Sequence, residues 1–154
     1  MTTEHILADI GDEIPPMEWT ADPALVREML DLSGWIGDDE SGEGRMSGPS
    51  RFTDQETARS EGFGNMIVPG NLGMMAMAAA IQRWFPHGRV SKLDCVFRQP
   101  ITQGETLTAT GVVTDRQDHA DHVILEMDVY LERPDNQRPQ GGTAVMTIRT
   151  TPPA

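Results

Sequence analysis

A single cysteine, Cys95, stands among the 154 residues of this chain. One cysteine excludes an intramolecular disulfide and a cysteine-based zinc site. Its place inside an apolar, strand-like segment reads as an inert buried thiol rather than a nucleophile. Basic residues are also scarce, 12 Lys and Arg against 24 Asp and Glu, for a formal charge of −12. That balance argues against a nucleic-acid partner, whose phosphates need a basic surface. A phosphate-bearing ligand needs only a local cluster, and the acidic surplus otherwise serves solubility. The opening Met-Thr-Thr-Glu-His has neither a basic region nor an apolar run, so no signal peptide is expected and the expected location is the cytoplasm. No apolar stretch approaches the roughly 20 residues that span a bilayer, so no membrane partner is expected. The length predicts one domain over residues 1–154, with a core large enough to need no disulfide or metal.

The most informative stretch is residues 53–88. Thr53-Asp54-Gln55-Glu56 reads as a capping box, and a short helix through Ala58 and Arg59 ends at Gly62. After Phe63-Gly64 comes Ile67-Val68-Pro69-Gly70-Asn71, then a helix from about Asn71 to Phe85, stopped by Pro86-His87-Gly88. Leu72, Met74, Met75, Met77, Ile81, Trp84 and Phe85 leave this helix no polar face, so it is expected to be buried all round.

Residues 1–19 read as a strand or extended arm. Asp22 as N-cap and Pro23 at the first helical position open a helix whose apolar face is Leu25, Met29 and Leu32, stopped by Gly34. Residues 35–50, with four glycines and several polar residues, form a long loop, either a lid or a flexible insertion. After the buried helix, apolar residues recur at every second position. The sets are Leu93, Cys95 and Phe97; Leu107, Ala109, Gly111 and Val113; Val123, Leu125, Met127, Val129 and Leu131; and Ala144, Met146 and Ile148. Breaks at 99–105, 115–121 and 134–142 separate these strands, and the order predicts an antiparallel meander.

Helix plus sheet in this order resembles the hotdog fold, an α+β domain in which an antiparallel sheet wraps a long central helix. More narrowly it resembles the MaoC-like hydratases and dehydratases, the (R)-specific enoyl-CoA hydratase group. The residues that carry the resemblance are Asp54-Gln55-Glu56-Thr57-Ala58-Arg59 with Gly62-Phe63, the Ile67-Val68-Pro69-Gly70 step, Phe97-Arg98-Gln99-Pro100-Ile101, and Gly104-Glu105-Thr106-Leu107-Thr108-Ala109. The likeness covers roughly residues 20–150. In the family a catalytic Asp and His lie in a G-D-x-N-P-x-H segment just before the D-x-x-x-A helix. Alignment on Asp54 places Phe52 at the His position and Ser47 at the Asp position, and Pro69 replaces a second frequent His. If the loop is an insertion, the Asp position falls near Trp35 or shifts to Asp38 or Asp39. No histidine lies between His5 and His87.

Hydration of an enoyl thioester needs fixed donors for the thioester oxygen and a group that moves protons. Gly70 permits close backbone approach, and the free N–H groups at a helix start aim the helix dipole at a ligand. Asn71 adds an amide donor, although Gly70-Asn71 also suits an ordinary turn and cap. The candidate acid/base groups are Asp38, Asp39 and Asp54. The first two also suit a solvated loop, and Asp54 also suits the first turn of a capped helix. Substrate-binding candidates are Trp35, Ser47, Arg51, Phe52, Pro69 and Met74. Met74, Met75 and Met77 are core filling or the lining of an acyl pocket. Arg83, Arg89, Lys92 and Arg98 are sheet-edge charges or contacts for CoA phosphates. His119 and His122 have no third ligand, so no metal is expected, and no cofactor is expected beyond CoA or a carrier protein as part of the substrate.

The resemblance implies a homodimer or a hetero-oligomer with another hotdog protein, and three functions. The first is an enoyl-thioester hydratase/dehydratase, a lyase, with a non-standard active site. The second is a non-catalytic subunit of a hetero-oligomeric enoyl-CoA hydratase for bulky substrates such as steroid side chains. The third is a repurposed hotdog enzyme such as a thioesterase or a biosynthetic cyclase.

Overall fold

The computed structural model describes residues 8–32 and 48–150, which fall into two compact units. The first unit holds the sheet and most of the long helix. The second comprises Thr20–Leu72 and Pro100–Thr106.

In the first unit, strand β1 spans Glu13–Thr20, up to Trp19 here. β2 spans Arg89–Phe97, β3 Thr106–Asp118, β4 His122–Glu132 and β5 Gln140–Arg149. The spatial order is β1-β3-β4-β5-β2, and the β3–β4, β4–β5 and β2–β5 pairs are antiparallel. The last three strands form the expected meander. β2 departs from it, because it pairs with β5 and not with its successor β3. Helix α3, Gly70–Trp84, precedes β2, and packing over one face of the sheet carries the chain to the far edge before β2 begins. β3 also runs on to Asp118, with a bulge between Val113 and Asp115, so the break after it narrows to the turn before His122.

Alternation does what its pattern predicts on β4: Val123, Leu125, Met127, Val129 and Leu131 are all buried. Leu107, Ala109 and Val113 on β3 join them, with Ala144, Met146 and Ile148 on β5. Each of these Val, Leu, Ile and Met side chains removed from water contributes roughly 1.5–3 kcal/mol before entropy is counted. β2 differs. It pairs on one side only, Leu93 and Cys95 are half-buried, and Phe97 is exposed. The Cys95 thiol is therefore not fully buried, though its burial still raises its pKa and keeps it protonated.

The expectation of a helix buried all round is corrected. Ala76, Met77, Ala80 and Ile81 of α3 are buried, while Asn71, Met75, Ala79 and Arg83 are exposed. The exposed residues recur every fourth position and so line one stripe. A single five-stranded sheet covers only one side of a helix. Gly73 on the buried side lies so close to the Gln140 side chain of β5 that a Cβ there would overlap its amide oxygen. This arrangement of helix against antiparallel sheet is the hotdog fold.

In the second unit, α1 spans Pro23–Leu32 and α2 spans Gln55–Ser60. Asp22 caps α1 as expected, its Oδ1 accepting from the Ala24 N–H at 2.8 Å. The buried residues of α1 are Val26 and Leu30, whereas Leu25 and Leu32 are exposed. Both sets have helical spacing, so spacing alone does not decide which side meets the core.

Candidate functional site

The segment from Ser50 to Asn71 is built around a tight turn before α2. Asp54 N–H and Thr53 N–H both donate to the Ser50 carbonyl, at 2.8 and 3.0 Å. Thr53 Oγ1 accepts from the Ser50 N–H at 3.1 Å. The cap of α2 is therefore Asp54 and not the expected Thr53, whose hydroxyl is spent on the turn. Asp54 Oδ2 accepts from Thr57 N–H at 2.8 Å and Thr57 Oγ1 at 2.7 Å. The Thr57 hydroxyl, and then the Thr57 N–H, hold this carboxyl below its usual pKa. A carboxylate so held is a weak base. At the other end, Gly62 adopts φ 94°, a left-handed conformation that closes the helix and turns the chain back.

The turn and the approach to α3 are tied together by Gln103. Its N–H donates to the Met66 carbonyl at 2.9 Å. Its Nε2 donates to the Phe52 carbonyl at 2.8 Å and the Ile67 carbonyl at 3.0 Å. Val68 N–H reaches the Ile101 carbonyl at 2.8 Å, and Ile67 N–H the Arg51 carbonyl at 3.1 Å. Sequence reading missed Gln103, because one glutamine in a turn-rich break carries no periodic signal.

α3 then starts at Gly70. The Leu72 N–H is taken by the Pro69 carbonyl at 3.0 Å, and the N–H groups of Gly70 and Asn71 have no acceptor within the helix. Asn71 Nδ2 lies 3.9 Å from the sulfur of Met29, a weak contact that turns its amide toward α1. Pro69 is buried, Gly70 half-buried and Asn71 exposed. Arg51 is engaged: its Nε pairs with Glu61 Oε2 at 2.8 Å, and its guanidinium stands 5.6 Å above the Phe63 ring.

Of the residues singled out from the sequence, Arg51, Phe52, Asp54, Pro69, Gly70 and Asn71 all belong to the second unit. Met74 is half-buried in the first unit. Trp35, Asp38, Asp39 and Ser47 lie outside the described residues. A depression of about 230 Å³ opens beside the turn, lined by Pro23, Ala24, Phe52 and Met66, with Arg27 and Gln103 also on its wall. Phe52 thus contributes an apolar wall at the position where the resemblance places a histidine. Away from this region, His119 and His122 stack with ring centroids 4.4 Å apart, and Asp121 Oδ1 lies 2.7 Å from His122 Nδ1. Among the described residues no cluster of three or more His, Cys, Asp or Glu has metal-holding geometry.

The fold is that of a hotdog protein. No protein-family model matches the chain, and no curated protein matches it. Solved structures do. The chain is similar to a structure of the ChsH1–ChsH2 complex from Mycobacterium tuberculosis, with a TM-score of 0.73 and 14% identity over 93% of this chain and 100% of that one. It is similar to an (R)-hydratase from A. caviae involved in PHA biosynthesis, with a TM-score of 0.71 and 17% identity over 93% and 98%. It is also similar to the HadBC (3R-hydroxyacyl-ACP dehydratase) complex from Mycobacterium tuberculosis, with a TM-score of 0.67 and 15% identity over 91% and 98%. At these identities the likeness is one of fold.

Proposed function

We propose that this chain binds an acyl or enoyl thioester as a hotdog subunit of the hydratase/dehydratase class, with the acid/base pair supplied by a second hotdog protein. The observation that carries this reading is the 52–54 turn. Phe52 faces an apolar depression, and the nearby carboxylate, Asp54, is spent on capping α2. The second unit has no histidine at all. What remains is binding equipment, the open N–H groups of Gly70 and Asn71 at the start of α3. They suit a thioester oxygen on CoA or on a carrier protein. Two of the similar structures are complexes of paired chains, ChsH1–ChsH2 and HadBC. The unpaired side of β2, with Val96 and Phe97 more than half exposed, and Met75 on the open stripe of α3 provide a surface for such a partner.

A second reading is a self-sufficient hydratase in which Asp38 or Asp39 serves as the acid/base group. It rests on the glycine retained at the entry into α3, Gly70, with these carboxylates in place of the usual pair. One experiment separates the two. The purified chain is given crotonyl-CoA and a bulkier enoyl-CoA, with binding followed by calorimetry and hydration by the enoyl-thioester absorbance. Binding without turnover, and turnover on adding a hotdog protein that carries the D-x-N-P-x-H segment, is the expected result. Turnover by the chain alone, lost in Asp38→Asn or Asp39→Asn, would establish the second reading. Absence of binding to either thioester would sink both.

A further inference from the structure

We propose that the depression beside the 52–54 turn is a binding site for an amphipathic carboxylate, with its hydrocarbon on Phe52 and Met66 and its charge on Arg27. The proposal shares the 52–54 turn with the proposed function but not the donors of α3, and octanoate carries no thioester, so the two readings can fail separately. At about 230 Å³ the space exceeds the roughly 150 Å³ apolar cavity that holds a benzene ring, so a chain of several carbons fits. The lining is mainly apolar, and one cation stands on it.

Two features make this a built surface. The wall is fixed by Gln103, itself 8% exposed, whose Nε2 donates to the Phe52 and Ile67 carbonyls while its N–H holds Met66. Gln103 thus fixes the backbone from which the Phe52 and Met66 side chains reach the depression. Arg27 makes no ion pair among the described residues, although the chain carries a charge of −12. Two carboxylates at the starts of the neighbouring helices are engaged elsewhere: Asp22 caps α1 through the Ala24 N–H, and Asp54 caps α2 through Thr57. An arginine left unpaired on the rim of an apolar recess complements a ligand with a hydrocarbon body and a carboxylate head, and its planar fork matches that head in a bidentate way. A neutral hydrocarbon would leave the guanidinium unused, and a cationic amphiphile would be repelled by it.

The test is calorimetric titration of the full chain with octanoate, 1-octanol and octylamine, repeated on Arg27→Gln and Met66→Trp. The expected result is saturable octanoate binding at one site, weakened about tenfold by Arg27→Gln. It is abolished by Met66→Trp, which fills the recess. Octanol should bind more weakly than octanoate, octylamine more weakly still, and octanoate affinity should fall as salt rises. Amide NMR shifts on titration should cluster at residues 24–27, 52, 66 and 103, a readout that needs no variant to fold. Octanoate binding that is absent, that maps elsewhere, or that octylamine equals would overturn the proposal.

Discussion

Asp54 shows how one side chain can be read two ways from sequence and one way from geometry. In the sequence it is a carboxylate close to where a catalytic group is expected, and it also suits the first turn of a capped helix. In the structure both bonds of its Oδ2 go to Thr57. Asp54→Asn keeps an accepting cap oxygen but loses the charge at the helix start, so it should lower the urea midpoint slightly with little change in slope, and it should leave thioester binding intact. The folded carboxyl has a depressed pKa, so its contribution is present above the unfolded carboxylate range and is lost as pH falls through the folded value. The stability gap between wild type and Asp54→Asn should close in acid, which denaturation series at several pH values would detect. Gln140 offers a second test at this scale. It is 3% exposed and its Oε1 has no hydrogen-bond partner among the described residues, a condition that costs about 1–3 kcal/mol. Gln140→Met should therefore be no less stable than wild type in chemical denaturation. A clear loss would mean that the amide oxygen is satisfied by water or by a partner chain. Gly73→Ala should destabilise, since its Cβ meets the Gln140 amide, despite the roughly 1 kcal/mol helix-propensity gain of Ala over Gly. In a Gln140→Ala background that loss should shrink, and a double-mutant cycle measures the coupling.

Among the elements, β4 was fully legible and α1 only half so. Five apolar residues at alternate positions leave a strand one way to face a core, and all five are buried. Leu125→Ala should cost about 2–5 kcal/mol in urea denaturation, because a close-packed sheet core relaxes little around a cavity. α1 has two helical stripes, and the one with Val26 and Leu30 is buried. Leu32→Ala should accordingly change stability by less than about 0.5 kcal/mol in the isolated chain. The capping of α2 was placed one residue early, since Thr53 and Asp54 are both good caps and only the Ser50 turn decides between them.

For the whole molecule, the open side of β2 and the stripe on α3 decide how it behaves in solution. An edge strand with Val96 and Phe97 exposed is a template for further pairing. Analytical ultracentrifugation should find a dimer or a complex with another hotdog chain. Val96→Lys should shift it toward monomer while circular dichroism stays unchanged. A wild-type chain that is monomeric alone and in the presence of the partner would contradict the proposed assembly.

The sequence by itself determined most of the elements and the buried face of β3, β4 and β5, because period-2 and period-3.6 patterns are local, and the hotdog arrangement was implied by the family resemblance of its motifs. It also singled out residues 53–88 and site candidates from Trp35 to Met74. Only the tertiary structure decided that β2 crosses to pair with β5, that α3 keeps one side open, and that Asp54 is consumed as a cap. It alone revealed Gln103 and Arg27 beside Phe52. Those facts depend on which groups meet across distant parts of the chain, such as residue 103 against residues 52 and 67, and no local pattern of hydrophobicity encodes such a meeting.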